Sequence, residues 1–363
     1  MSGSSASRPE KRRQGAATDS SRSCQAWSEE GRGGSSSMGA GGYPTRGGRW
    51  RFRGREGLML TRTLDLDGPV HYMDFGGTGP TLVLVHGLGG SHLNWMKVGE
   101  KLARRARVVA VDLVGFGLTP PEGRSASVHA NQALLDRFIQ AVSPNEPVML
   151  MGNSMGGAIS VLQAARRPER VSGLVLVNPA QPRAEDTKME RAVLLQFALY
   201  AIPGVGEFFV KRRAARFGPE KLARSMLRLC CQDLNRFPEG VVQAHVDFAR
   251  ERHERMPWSH DTFVEAARSL VKLLLRKKQF REMEKSIRVP TLLVQGSADR
   301  LVPVANSREL ARVRPDWTYV EYQGVGHTPM MEIPDEFIST VETWMDGPGR
   351  GALGNGERVA RAS

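Results

Sequence analysis

The chain has 363 residues, 40% of them apolar and 25% charged, and a net charge of +13. That length exceeds the roughly 250–300 residues at which one core usually splits or takes insertions, so one main domain, an inserted subdomain and some tail are expected. Three cysteines, two of them adjacent at Cys230 and Cys231, argue against a disulfide framework. The most apolar stretch, 193–210, is interrupted by Gln196, Pro203, Gly204 and Glu207, which argues against a membrane span and for a cytoplasmic protein.

Residues 1–57 carry eleven Lys/Arg against five Asp/Glu and few aliphatic side chains. Such a stretch buries too little to offset the entropy of folding, so a disordered basic tail is expected. Its Arg-Gly spacing, at Gly31-Arg32-Gly33 and Arg46-Gly47-Gly48, suits weak RNA contact. A solvated tail, or a true start at Met38 or Met59, explains it as well, and nucleic acid is not expected as a partner.

Apolar runs at 81–85, 108–111, 148–151, 174–177, 291–294 and 318–322 read as strands. Between the first four lie segments of helical spacing, such as 128–142 and 154–166. Continuous apolar strands alternating with helices imply an α/β fold with a mostly parallel, doubly wound sheet. The alternation stops near residue 181. Residues 182–287 are helix-like and read as an inserted helical cap, between core segments 58–181 and 288–346; residues 347–363 read as a flexible C-terminal tail. Within the insertion, side chains such as Phe197 and Phe208 suit an acyl pocket or the cap's own core equally. The clusters Lys211-Arg212-Arg213 and Arg276-Lys277-Lys278 suit a solvated helix face or a weak membrane-surface contact.

The chemistry is carried by three strand ends. Met149-Leu150-Met151 runs into Gly152-Asn153-Ser154-Met155-Gly156-Gly157, a G-x-S-x-G turn between strand and helix. There a serine adopts a strained backbone so that its hydroxyl clears the sheet, and its neighbours Gly152 and Gly156 must lack bulk. A serine needs a base, and the base needs a carboxylate to fix its tautomer. His327, in Gly324-Val325-Gly326-His327, follows the run ending at Tyr322; Asp299, in Gly296-Ser297-Ala298-Asp299, follows 291–294. Oxyanion donors are expected from the amides of Met155 and of Leu88, in the loop His86-Gly87-Leu88-Gly89-Gly90. Gly87 and Gly89 would let that backbone approach a substrate, and His86 would hold the loop. The same loop fails as a dinucleotide fingerprint, since the third glycine position is His92. The remaining histidines show no ligand spacing, so neither metal nor cofactor is expected.

Over residues 58–346 the sequence resembles the α/β-hydrolase family. The marks are His86 to Gly90, Asp112-Leu113-Val114-Gly115-Phe116-Gly117, Gly152 to Gly157, Gly296 to Asp299, and Gly326-His327. The resemblance implies a Ser-His-Asp hydrolase with a helical cap and a structural role for Asp112. Haloalkane dehalogenases and epoxide hydrolases of this fold carry aspartate where Ser154 stands, which disfavours both. Members that place the acid one strand earlier would need it near Val177-Asn178-Pro179, which has no carboxylate, so Asp299 is the expected acid. The elbow also resembles that of meta-cleavage-product hydrolases, but those carry tryptophan where this chain has Thr328. The first expectation is a carboxylesterase or lipase-like enzyme acting on a small-molecule ester with an apolar acyl group. The alternatives are a C–C bond hydrolase and a non-catalytic binding member of the fold.

Overall fold

Strand runs that are apolar at every position can only lie in the middle of a sheet covered on both faces. The computed structural model, which describes residues 51–53, 58–185, 191–238 and 240–353, places them there. Nine strands form one sheet: β1 (Arg51–Arg53), β2 (Leu58–Asp65), β3 (Pro69–Gly76), β4 (Thr81–Val85), β5 (Arg107–Val111), β6 (Val148–Asn153), β7 (Val171–Val177), β8 (Thr291–Gly296) and β9 (Thr318–Tyr322). Their spatial order is β1-β2-β3-β5-β4-β6-β7-β8-β9. From β5 to β9 every pair is parallel, while β1, β2 and β3 add antiparallel strands at one edge.

The short helix α1 (Gly99–Leu102) follows β4. Crossovers carry α2 (Val128–Val142) and α3 (Met155–Arg166); α9 (Val304–Val313), α10 (Pro329–Glu332) and α11 (Pro334–Asp346) lie near the C-terminus. Alternate strand residues feed two cores. Val83, Val109, Leu150 and Leu174 pack with Phe138 of α2 and Ile159 of α3. Leu82, Val108, Met149 and Val175 pack with Trp95 and with Phe337 and Trp344 of α11.

Between β7 and β8 lie α4 (Arg191–Ala201), α5 (Val205–Cys230), α6 (Val241–Arg255), α7 (Ser259–Leu275) and α8 (Lys277–Ser286). The insertion is therefore helical, and both α7, through Ala266, Leu270 and Leu273, and α8, through Phe280, pack into the same core as α3. Helix α5 breaks at Gly218 (φ 72°, ψ 167°), immediately before Pro219. Proline has no amide to donate and disfavours helical geometry in the residue before it.

Both expected tails need correction at their inner ends. Arg51–Arg53 pairs with Leu58, Met59 and Leu60 as a strand. Residues 350–353 form a turn of 3-10 helix in which Ala352 is buried. Its methyl group fills the notch above Gly173, 2.4 Å from where a Cβ would stand, and its carbonyl accepts a hydrogen bond from Ser172 Oγ at 2.7 Å. Residues 1–50, 54–57 and 354–363 lie outside the described residues. Among those described, no helix is long and apolar enough to cross a membrane.

Candidate active site

The turn from β6 into α3 leaves no room for side chains two residues to either side of Ser154. A Cβ on Gly156 would stand 2.2 Å from the Val85 carbonyl oxygen, and one on Gly152 would stand 2.4 Å from that of Gly156. Ser154 itself has φ 54° and ψ −120°, a conformation costing about 1–3 kcal/mol that persists only where the surroundings impose it. The surroundings do so: Ser154 N–H donates to Val177 O (3.1 Å), and its carbonyl accepts from Ala158 N (3.2 Å) and Ala180 N (2.9 Å).

Asp299 and His327 come together across the ends of β8 and β9. His327 Nδ1 lies 2.7 Å from Asp299 Oδ2, and both residues are buried. The carboxylate is held on every side. Oδ1 accepts from the amides of Leu301 (2.8 Å) and Val302 (2.9 Å), while Oδ2 also accepts from Asn178 Nδ2 (2.7 Å) and Gln295 Nε2 (3.3 Å). With Nδ1 occupied as the donor to a fixed carboxylate, Nε2 is the ring nitrogen left to exchange a proton.

The loop after β4 closes the third side. Gly87 abuts Ser154, since a Cβ there would be 3.0 Å from Ser154 Cβ. His86 Nε2 accepts from Leu113 N (3.1 Å), which leaves Nδ1 to donate to Gly87 O (2.8 Å). Burial pushes the His86 pKa down, in keeping with a neutral ring that ties two loops together. Gly89, at φ 75°, lies under the ring of Phe263 from α7. Met155 opens α3, so its amide has no acceptor within the helix. Ser154, His327, Gly87 and Leu88 line one cavity of about 350 Å³, whose other walls include Val193, Phe197, Phe263, Leu270, Leu274 and Met331.

Two histidines that sequence spacing left apart also converge. His71 Nδ1 and His92 Nδ1 each lie 2.9 Å from Asp112 Oδ2, and all three residues are buried. They are the only three metal-ligating side chains grouped so closely among the described residues. Asp112 additionally accepts from the amides of His92 (2.7 Å) and Leu118 (2.9 Å), so the carboxylate is saturated by donors and ties β3, β5 and the β4 loop. Burial acts to raise its pKa, but the two histidines outweigh that and hold it well below the ordinary carboxylate value.

Sequence reasoning missed the buried amides around the site. Asn153 Nδ2 donates to Val177 O (3.0 Å) and to His327 O (3.1 Å), joining the elbow to the histidine loop. Asn178 joins Asp299 to Gly326 O (3.2 Å). A polar residue inside an apolar strand end is the only signal either left in the sequence.

The model of the alpha/beta hydrolase fold family matches residues 80–334. The chain belongs to the α/β-hydrolase fold family. It is similar to monoacylglycerol lipase ABHD6 of Homo sapiens, at 26% identity over 78% of this chain and 81% of that one. At 26% identity it also resembles 2-hydroxy-6-oxononadienedioate/2-hydroxy-6-oxononatrienedioate hydrolase 2 of Pseudomonas putida, over 75% of this chain and 90% of that one. Its fold is shared with haloalkane dehalogenase DbeA from Bradyrhizobium elkani, with a TM-score of 0.67, 20% identity, and 80% and 99% of the two chains covered. Members of this hydrolase family are mostly enzymes, and its lipase, esterase, dehalogenase and meta-cleavage branches are all represented among the relatives.

Proposed function

We propose that this α/β-hydrolase cleaves carboxylic esters with apolar acyl groups, through an acyl-enzyme formed on Ser154. The observation that carries the reading is the cavity of about 350 Å³, which has predominantly aliphatic and aromatic walls and contains Ser154 and His327. In this reading Ser154 Oγ attacks the ester carbonyl while His327 Nε2 takes its proton. Asp299 holds the resulting imidazolium through the 2.7 Å bond at Nδ1. The amides of Leu88 and Met155 receive the oxyanion. His327 then protonates the leaving alcohol, and water, deprotonated by the same nitrogen, releases the acid.

The test is a series of p-nitrophenyl esters of increasing chain length. Each methylene buried in an apolar cavity is worth about 0.8 kcal/mol, so kcat/KM rises about fourfold per added methylene until the cavity is full. A profile that is highest for acetate and falls with length would contradict the apolar acyl site.

A further inference from the structure

The cap has apolar side chains on its outer surface as well as over the cavity. Helix α4 has Val193, Phe197 and Tyr200 lining the cavity, yet Leu195 on it and Ile202 just past its end are 62% and 50% exposed, with Ala198 exposed between them. Positions 195, 198 and 202 fall on one helical stripe. After the turn at Pro203-Gly204 the pattern continues into α5, where Val205 is 41% and Phe208 66% exposed. Monomeric proteins seldom leave neighbouring large apolar side chains in water without a use for them.

The charge beside this corner has one sign. Helix α5 carries seven Lys/Arg against two Glu. Both acids are occupied: Glu207 pairs with Arg268 (2.8 Å), and Glu220 with Arg224 (3.1 Å) and Arg250. Lys211 is neutralised by Asp261 (2.8 Å), but among the described residues no carboxylate pairs with Arg212, Arg213 or Arg216. Arg212 follows Phe208 by one helical turn, so exposed apolar and cationic groups share a face. The same combination recurs where α7 ends. Leu275, at 78% exposure, lines the cavity and is followed by the exposed Arg276 and Lys278.

We infer that the α4–α5 corner of the cap docks on an anionic lipid bilayer, with Leu195, Ile202, Val205 and Phe208 entering the headgroup layer and Arg212, Arg213 and Arg216 facing lipid phosphates. An apolar face flanked by arginines matches the chemistry of such an interface. Transfer of acyl chains from the bilayer to the cavity beneath α4 rests on the proposed esterase reading; the docking does not.

The test is co-sedimentation of the full chain with vesicles of phosphatidylcholine alone or mixed with phosphatidylglycerol. The wild type and Ser154→Ala are expected to bind the mixed vesicles equally and to release with salt. That keeps docking separable from catalysis, which is read by turnover of a soluble short-chain ester. Ile202→Glu with Phe208→Glu is expected to weaken binding more than tenfold, since each side chain loses burial worth about tenfold or more. Arg212→Glu with Arg216→Glu is expected to weaken it at least about twentyfold, at roughly fivefold per basic group. Phe208→Ala, a mild change at an exposed site, is expected to give a smaller loss. Soluble-ester turnover is expected to persist in all three, while Arg312→Glu, outside the cap, binds as wild type. Absence of wild-type binding to the mixed vesicles overturns the inference. So does unchanged binding in the cap variants, which would assign the affinity to the basic residues 1–57. So does a dimer that Phe208→Ala dissolves without any vesicle binding.

Discussion

At the scale of single residues, the proposed catalytic groups were legible because the chemistry restricts their type, order and place. A serine with glycine two residues to either side, an acid and a histidine, each after an apolar strand, satisfy that restriction at Ser154, Asp299 and His327. The residues that aim them were not legible, because a buried amide reveals its partner only once distant strands are adjacent. Asn178 shows this: it was read only as lacking a carboxylate, yet its side chain holds Asp299 at 2.7 Å. Asn178 also has φ 45°, which glycine tolerates, so Asn178→Gly removes the donor without forcing the backbone. Ester turnover is expected to drop about tenfold in kcat with KM little changed, the scale of one lost hydrogen bond to a charged group. An unchanged kcat would show that the backbone amides of Leu301 and Val302 suffice to hold the acid. Gly156→Ala is expected to be far worse. Its methyl group would meet the backbone of Val85 and His86, which cannot rotate away, and a thermal melt should show a loss of about 1–3 kcal/mol or failure to fold.

At the scale of elements, the parallel strands were legible from uninterrupted apolar runs, and the antiparallel edge was not. β2 and β3 mix polar with apolar residues without a steady period, a weaker signal than the central runs. The Asp67-Gly68 turn between them, with φ 55° and 117°, was the available clue. Periodicity likewise does not tell which helices of the insertion pack on the sheet, where Phe280 of α8 joins the core of α3. The histidine loop depends on elements of the insertion and of the sheet. His327 N–H donates to Cys230 O at the end of α5 (2.6 Å). Buried Glu332 accepts from Gly326 N (2.8 Å) and pairs with Arg236 (2.8 Å), which also reaches Gly324 O (2.6 Å). Glu332→Ala is expected to free residues 324–328, seen as faster amide exchange there, with a stability loss of about 1–3 kcal/mol from the unpaired amide and arginine. Exchange that stays slow would mean the loop is fixed by α5 alone.

At the scale of the whole molecule, the net charge of +13 divides into +6 from residues 1–57 and +7 from the rest of the chain. The fold gives part of it a different context, by placing Arg212 and Arg216 of α5 near the exposed Val205 and Phe208. Buried histidines add a pH dependence that composition does not show. Burial lowers the pKa of His86 from the ordinary 6.5, so the unfolded chain takes up this proton at a higher pH than the folded chain does. His86 therefore contributes stability that is complete above about 6.5 and is lost as pH falls through its lower folded value. His86→Asn lacks that titration. The stability gap between wild type and variant, measured by urea unfolding, is expected to be widest at neutral pH and to narrow in acid; a gap that widens in acid would contradict a neutral His86.

Fluorophosphonate labelling with peptide mapping tests whether Ser154 is a nucleophile activated by His327, with Asp299 orienting the histidine. The expected result is one modified residue, Ser154, with labelling slowed by several powers of ten in His327→Ala. A folded wild type that does not react, or that reacts at another residue with Ser154→Ala labelled as fast, would contradict it.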